Sequence, residues 1–161
     1  MKTWQDYLAD GSLKRLPRWG ENILGAKKPD ATIELILDGQ PICRTEAFKR
    51  ECAFDGETFK LGGIGGVWTA SKYRRQGHAT AMLKQALSLF GHWGLDGAIL
   101  FSLEELVPYY AERGFDRHMG AAVMHQQQPG FPVPENVVVL THGFNVWLDP
   151  ESSLEIRGLP W

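Results

Sequence analysis

The sequence predicts an α+β fold. Three observations carry that expectation: two Asp-Gly dipeptides punctuate a β-rich stretch, a long amphipathic helix follows, and the hydrophobic period changes from 2 to 3.6 between them. Ala31 to Leu37 reads as a strand closed by Asp38-Gly39, a dipeptide favoured in tight hairpin turns. Gln40 to Phe54 reads as a second strand, and Asp55-Gly56 turns the chain into a third, Glu57 to Thr69. Three strands joined by two such turns make an antiparallel meander. From His78 to Trp93, residues Ala79, Met82, Leu83, Ala86, Leu87 and Phe90 fall on one helical face, with Lys84, Gln85, Ser88 and His92 away from it.

Gly94 and Asp96-Gly97 end that helix, and Ala98 to Phe101 is a short buried strand. Ser102 is placed to cap a helical segment that runs to Arg113 and stops at Gly114, with Pro108 restarting or kinking it. A strand near Gly120 to Gln126, a stiff Pro/Gly loop from Gln127 to Pro134 and a strand from Asn136 to Thr141 complete the core. Before it, Trp4, Tyr7, Leu8, Leu13, Leu16, Trp19, Ile23 and Leu24 recur at loosely helical spacing, interrupted by Gly11, Pro17 and Gly20. The expected organisation is one domain over 1–161: short helices in 1–30, a core in 31–142 and an extended tail in 143–161.

At 161 residues, 43% of them hydrophobic, the chain can bury a core without metals or disulfides. Its 17 basic and 19 acidic side chains give a net charge of −2 with no block of like charge. That excludes a protein held to nucleic acid by a broad basic face, so any polyanionic ligand must be gripped locally. Cys43 and Cys52 are too few for a disulfide framework, and no second Cys/His pair stands at zinc spacing, so no metal is expected and the two thiols read as small core residues. His118 and His125 read as surface or half-buried histidines. No segment approaches 18 uninterrupted apolar residues, and the first residues lack an apolar signal core. The expectation is a cytoplasmic protein with no membrane partner.

Chemistry concentrates in Val67-Trp68-Thr69-Ala70-Ser71-Lys72-Tyr73-Arg74-Arg75-Gln76-Gly77-His78-Ala79, a strand that runs through a basic turn into the amphipathic helix. The first turn of a helix presents backbone N–H groups without intrahelical partners and the positive end of the macrodipole, which together favour an anion. Gly77 allows close approach, and Arg74 and Arg75 add positive charge. Such a turn suits a phosphate or pyrophosphate. Here the chain resembles the GNAT superfamily of acyl-CoA-dependent N-acyltransferases, whose [Gln/Arg]-x-x-Gly-x-[Gly/Ala] turn is matched by Arg74, Gly77 and Ala79. A second stretch, Tyr109-Tyr110-Ala111-Glu112-Arg113-Gly114-Phe115, is similar to the family's aromatic-Tyr-x-x-x-Gly-Phe segment.

The resemblance covers Thr32 to Val139, without an evident counterpart of the family's N-terminal strand. Within the superfamily it is nearest to the aminoglycoside 2′-N-acetyltransferases and the nodulation-type acyltransferases, through the Pro-rich loop, Val137-Val138-Val139 and, for the former group, a terminal Trp. It implies a mostly antiparallel sheet flanked by helices and splayed between Glu57 to Thr69 and Ala98 to Ser102, with acetyl-CoA or another acyl-CoA as co-substrate. Val67, Trp68 and Thr69 would contact the pantetheine arm and thioester. Arg74, Arg75, Gln76, Gly77, His78, Ala79 and Thr80 would hold the pyrophosphate, Ser102 would complete the cofactor contacts, and Tyr110 would meet the leaving thiolate.

Aminoglycoside-type relatives place a Glu where this chain has Gly65, inside Gly62-Gly63-Ile64-Gly65-Gly66. That run reads either as a bulge or as a wide, unobstructed acceptor groove. The amine's proton would then leave through water to Glu46, Glu104 or the terminal carboxylate of Trp161, unless the amine arrives neutral. The implied activity is acetyl transfer to a primary amine of a small molecule or amino sugar by direct attack in a ternary complex. Two other readings are a non-catalytic acyl-CoA-sensing module and an enzyme acting on protein amines. A homodimer is the family habit.

Overall fold

Both Asp-Gly pairs turn the chain with their two central residues left-handed: Asp38 and Gly39 at φ 50° and 74°, Asp55 and Gly56 at 47° and 86°. This geometry matches the right-handed twist of the strands it joins. Those strands are β1 (Ala31–Leu37), β2 (Gln40–Phe54) and β3 (Glu57–Thr69), at the bounds expected from the sequence. The structure, a computed structural model, describes residues 28–125, 131–133, 136–158 and 161. The short helices expected before residue 28, most of the Pro/Gly loop and Leu159-Pro160 lie outside the described residues.

After β3 come α1 (His78–His92), β4 (Gly97–Ser102), a single 3₁₀ turn (Glu104–Leu106) and α2 (Val107–Ala111). Then follow β5 (Asp116–Arg117), β6 (Ala122–His125), β7 (Phe131–Pro132), β8 (Val138–Gly143) and β9 (Leu154–Arg157). Among the described residues these strands form one sheet in the order β5-β8-β4-β3-β2-β9-β6-β7, with β1 also on β2. The β3/β4 and β6/β9 pairs are parallel and the others antiparallel.

Two sequence expectations change, and one open choice is decided. Ser102 is no helix cap: it is the buried last residue of β4, its hydroxyl donates to the Leu103 carbonyl, and Leu103 precedes the following turn. Pro108 restarts the helical segment, one of the two outcomes expected: it is the second residue of α2, where its missing N–H is one that a helix start leaves unpaired anyway. The tail is not simply extended, since β9 joins the sheet between β2 and β6. Leu154 and Ile156 are fully buried at period 2. So short an alternation, set between Glu155 and Arg157, is a weak signal in sequence alone.

One face of the sheet is covered by α1. Leu83, Ala86 and Phe90 pack with Ala47, Ile64, Leu100, Tyr110 and Phe115. On the other face Cys52, Phe54, Leu61, Ile99, Phe101, Met124, Leu154 and Ile156 form a second cluster, so the sheet curls around its own side chains. Cys43 and Cys52 are fully buried, and burial pushes the Cys52 thiol up to about 12, which leaves it an inert core group.

Each glycine of the 62–66 run makes room for a particular neighbour. A Cβ on Gly62 would stand 2.2 Å from the Phe90 ring. On Gly63 and Gly65 it would stand 2.9 and 2.8 Å from the indole of Trp161. Gly66, at φ +55°, would meet Oε2 of Glu46 at 2.6 Å. The Trp161 indole is held by a hydrogen bond from Nε1 to the Ile64 carbonyl (3.1 Å), by Phe101 (centroids 4.8 Å apart) and by the Arg50 guanidinium (4.6 Å from the ring). The expected unobstructed groove is therefore filled at Gly63 and Gly65.

Because Phe90 is fully buried and its ring cannot swing aside, Gly62→Ala is expected to cost about 3 kcal/mol by overpacking. Urea denaturation checks this, and adding Phe90→Leu should recover part of the loss. His118 is buried, not half-buried, against Phe54, and neither ring nitrogen makes a well-aligned hydrogen bond. Burial lowers its pKa, partly offset by the backbone at Ser152 and Ala121 and by the Asp149 and Glu151 carboxylates. The unfolded chain therefore takes up a proton that the folded one refuses. This contribution is fully present above about pH 6.5 and is lost as the pH falls below it. Thermal unfolding at about pH 7.5 and 5.5 should show a smaller acid-induced drop in Tm for His118→Phe than for the parent.

Candidate functional site

The parallel β3/β4 ladder pairs Leu61 with Gly97 and ends where Ile64 meets Leu100. Beyond that point β3 continues along β2 as far as Thr69, while β4 stays with β8 through Ser102. The strands part because each is held by its outer neighbour. A bulge in the β2/β3 pairing between Arg44 and Glu46, opposite left-handed Gly66, bends β3 at the same place. Gly65 to Thr69 thus carry peptide groups that no β4 residue pairs. An extended ligand entering this gap could take them up as an added strand would.

The gap leads to the basic turn. Ser71–Tyr73 forms a 3₁₀ turn, and Arg74 Nε donates to the Thr69 carbonyl (2.9 Å), bracing the turn against the end of β3. Arg75 has φ 61°, an uncommon conformation for a residue with a side chain, and Gly77 has φ 84°. Gly77 is the N-cap of α1, with no side-chain cap and nothing within 4 Å of where a Cβ would stand. The first N–H groups of α1 are thus left for another acceptor. Beside them is a cavity of about 200 Å³.

Of the residues expected to hold acyl-CoA, Thr69, Arg74, Arg75, Gly77, His78, Ala79 and Thr80 line this cavity, together with Tyr73, Leu106 and Tyr109. Gln76 instead bonds the Lys72 carbonyl through Nε2 (3.2 Å), Val67 and Trp68 lie along β3, and Ser102 is buried at the end of β4. Tyr110 is 5% exposed and belongs to the cluster that holds Ile64 and Leu100, where the strands separate. Its ring lies edge-on to Tyr109 and Phe115. Of the two adjacent tyrosines, the one that lines the cavity is therefore Tyr109, whose hydroxyl lies 2.9 Å from Thr80 Oγ1. Sequence reasoning missed this role, although the adjacent tyrosines at a helix start put the two side chains in different directions.

The acidic candidates separate clearly. Glu104 is exposed and both its carboxylate oxygens are engaged by Arg117 at 2.6 Å, an interaction that raises the Arg117 pKa. Glu46 is half-buried, opposite Gly65 and over Gly66, at the mouth of the gap. Trp161 stands beside it over Gly63 and Gly65.

Comparison with known proteins bears on this geometry. A family model described as "Acetyltransferase (GNAT) domain" matches residues 8–117. The uncharacterized N-acetyltransferase YoaP of Bacillus subtilis (strain 168) is 28% identical over 65 residues, 40% of this chain and 26% of that protein. The chain thus spans about a quarter of the length of this curated relative. A GNAT family acetyltransferase from Brucella melitensis, solved in complex with acetyl-CoA, has a similar fold: TM-score 0.54 at 14% identity, over 85% of this chain and 69% of that one. Eis1 from Mycobacterium abscessus is similar at TM-score 0.52 and 14% identity, over 62% of this chain and 26% of that one. With most of the chain matched by the family model and a splayed sheet of the same fold, the protein belongs to the GNAT acetyltransferase family.

Proposed function

We propose that this domain transfers an acyl group, acetyl in the simplest case, from acyl-CoA to a primary amine by direct attack in a ternary complex. The observation that carries this reading is that the β3/β4 gap leads to the uncapped start of α1, so an extended thioester arm and an anionic head have adjoining places. Acyl-CoA, when bound, supplies the thioester. The start of α1 with Arg74 and Arg75 holds the pyrophosphate. A β3 N–H beyond Ile64 polarises the thioester carbonyl, a contribution of about 3 kcal/mol for one well-placed donor.

As the amine nitrogen bonds the acyl carbon and the C–S bond breaks, charge builds on sulfur. Tyr110 hydrogen-bonds that thiolate. Outright transfer from a phenol of pKa about 10 to a thiolate of about 8.5 is uphill by roughly 2 kcal/mol, so its proton moves fully only as the amine loses its own. Glu46 receives the amine proton through water, a role supported by its position over Gly66 and by the engagement of Glu104 with Arg117. The Trp161 indole across Gly63 and Gly65 supports a compact acceptor over a long amino-sugar oligomer.

Thiol release from acetyl-CoA across polyamines, amino sugars, aminoglycosides and peptides tests the activity. Binding of acetyl-CoA without release would favour the sensing module instead. Gly77→Val should weaken acetyl-CoA binding by about tenfold or more, because a β-branched residue resists φ +84° even where space is open. Normal affinity would remove the pyrophosphate from this turn. Tyr110→Phe should lower kcat about 100-fold with KM for acetyl-CoA within about twofold, and equal effects on both would remove Tyr110 from the chemistry. Glu46→Gln should lower kcat about tenfold at pH 7, with the loss shrinking as the pH rises to about 9 and the amine arrives neutral. An unchanged profile would exclude Glu46 as the base.

A further inference from the structure

Arg113 lies across the end of α2 from the basic turn, and nothing in the motif singles it out. Its Nη1 donates to the Tyr109 carbonyl (2.6 Å), its Nη2 donates to Thr80 Oγ1 (3.2 Å), and its guanidinium is 3.7 Å from the centre of the Tyr109 ring. The Tyr109 hydroxyl lies 2.9 Å from the same Thr80 oxygen. Tyr109 of α2 and Arg113, just past its end, thus converge on one hydroxyl in the first turn of α1, in the wall of the cavity.

Hydrogen-bond inventory gives this convergence a direction. A guanidinium only donates, whereas a threonine hydroxyl has one hydrogen and two lone pairs. Arg113 therefore occupies one lone pair of Thr80 without competing for its hydrogen. If Tyr109 donates to the other, the Thr80 hydrogen is left for a third partner, and its donation is strengthened by the two bonds received. The cavity side holds the unpaired first N–H groups of α1, which call for an anion.

We infer that Arg113 and Tyr109 hold Thr80 as a dedicated donor to a phosphate oxygen at the start of α1, making Arg113 a positioning residue for the phosphate-bearing part of acyl-CoA. This rests on the acyl-CoA reading above. Arg113 acts through Thr80 and not through contact with the ligand. The clasp also ties α2, which carries Tyr110, to the turn that holds the cofactor.

Calorimetric titration with acetyl-CoA and with S-acetylpantetheine, which lacks the phosphates, tests the inference. Arg113→Met and Thr80→Val should each weaken acetyl-CoA by about tenfold, the size expected for a hydrogen bond to a charged group, and leave S-acetylpantetheine unchanged. The double variant should be no worse than Thr80→Val alone, because the two residues act as one unit. Arg113→Lys, which keeps a cationic donor, should recover part of the affinity. Equal losses for both ligands, additive losses in the double variant, or no loss in either single variant would overturn the inference. Should Arg113→Met not fold, Thr80→Val against Thr80→Ser gives the same comparison between ligands. Failure of the parent protein to bind acetyl-CoA would overturn the underlying functional reading, a result distinct from any of these.

Discussion

Most of this structure depends on the parting of β3 from β4. Peptide groups inside a protein need partners, and leaving one buried and unpaired costs about 1–3 kcal/mol. A parallel pair that separates partway along its length must therefore have its strands held from outside and its open edge limited. Here β2 holds β3 and β8 holds β4. The ladder ends at Ile64 and Leu100, and the Ile64 carbonyl receives the indole N–H of Trp161. The glycine run serves the same end, since Gly62 lets Phe90 press on one face and Gly63 and Gly65 admit Trp161 on the other. What remains unpaired on β3 faces the gap, and that is the part of the sheet available for binding.

The start of α1 follows the same logic. A Ser, Thr, Asp or Asn at the N-cap would bond one of the first N–H groups and stabilise the helix by roughly 0.3 kcal/mol over glycine, but Gly77 stands there with no side chain to offer. Left-handed Arg75 adds local strain, compensated by Arg74, which anchors the turn to Thr69. Stability is given up at the two adjoining places where donors are left over, the β3 edge and the first turn of α1. A polyanion with an extended arm matches both.

The meander and α1 were legible in the sequence because they rest on local chemistry. Asp-Gly turns require only the two residues and their twist, and the α1 face repeats without interruption from Ala79 to Phe90. The basic turn was equally legible as a local element, since strand, turn and helix are contiguous. The short C-terminal strand was not, because Leu154 and Ile156 read as strand core only once β2 and β6 stand on either side. The capping role read for Ser102 was not correct either, as local spacing does not show its pairing with Val138 in a strand far along the chain.

By itself, the sequence determined the elements whose energetics lie within a few neighbouring residues, together with the basic turn proposed to hold the anion. Tertiary structure alone decided what the glycine run is for, which of two adjacent tyrosines reaches the cavity, which carboxylate overlooks the gap, and that Arg113 bears on Thr80. Each of these depends on two segments meeting across the fold. A glycine reads identically whether it opens space or makes room for a distant indole, and only the position of Trp161 over β3 distinguishes the two.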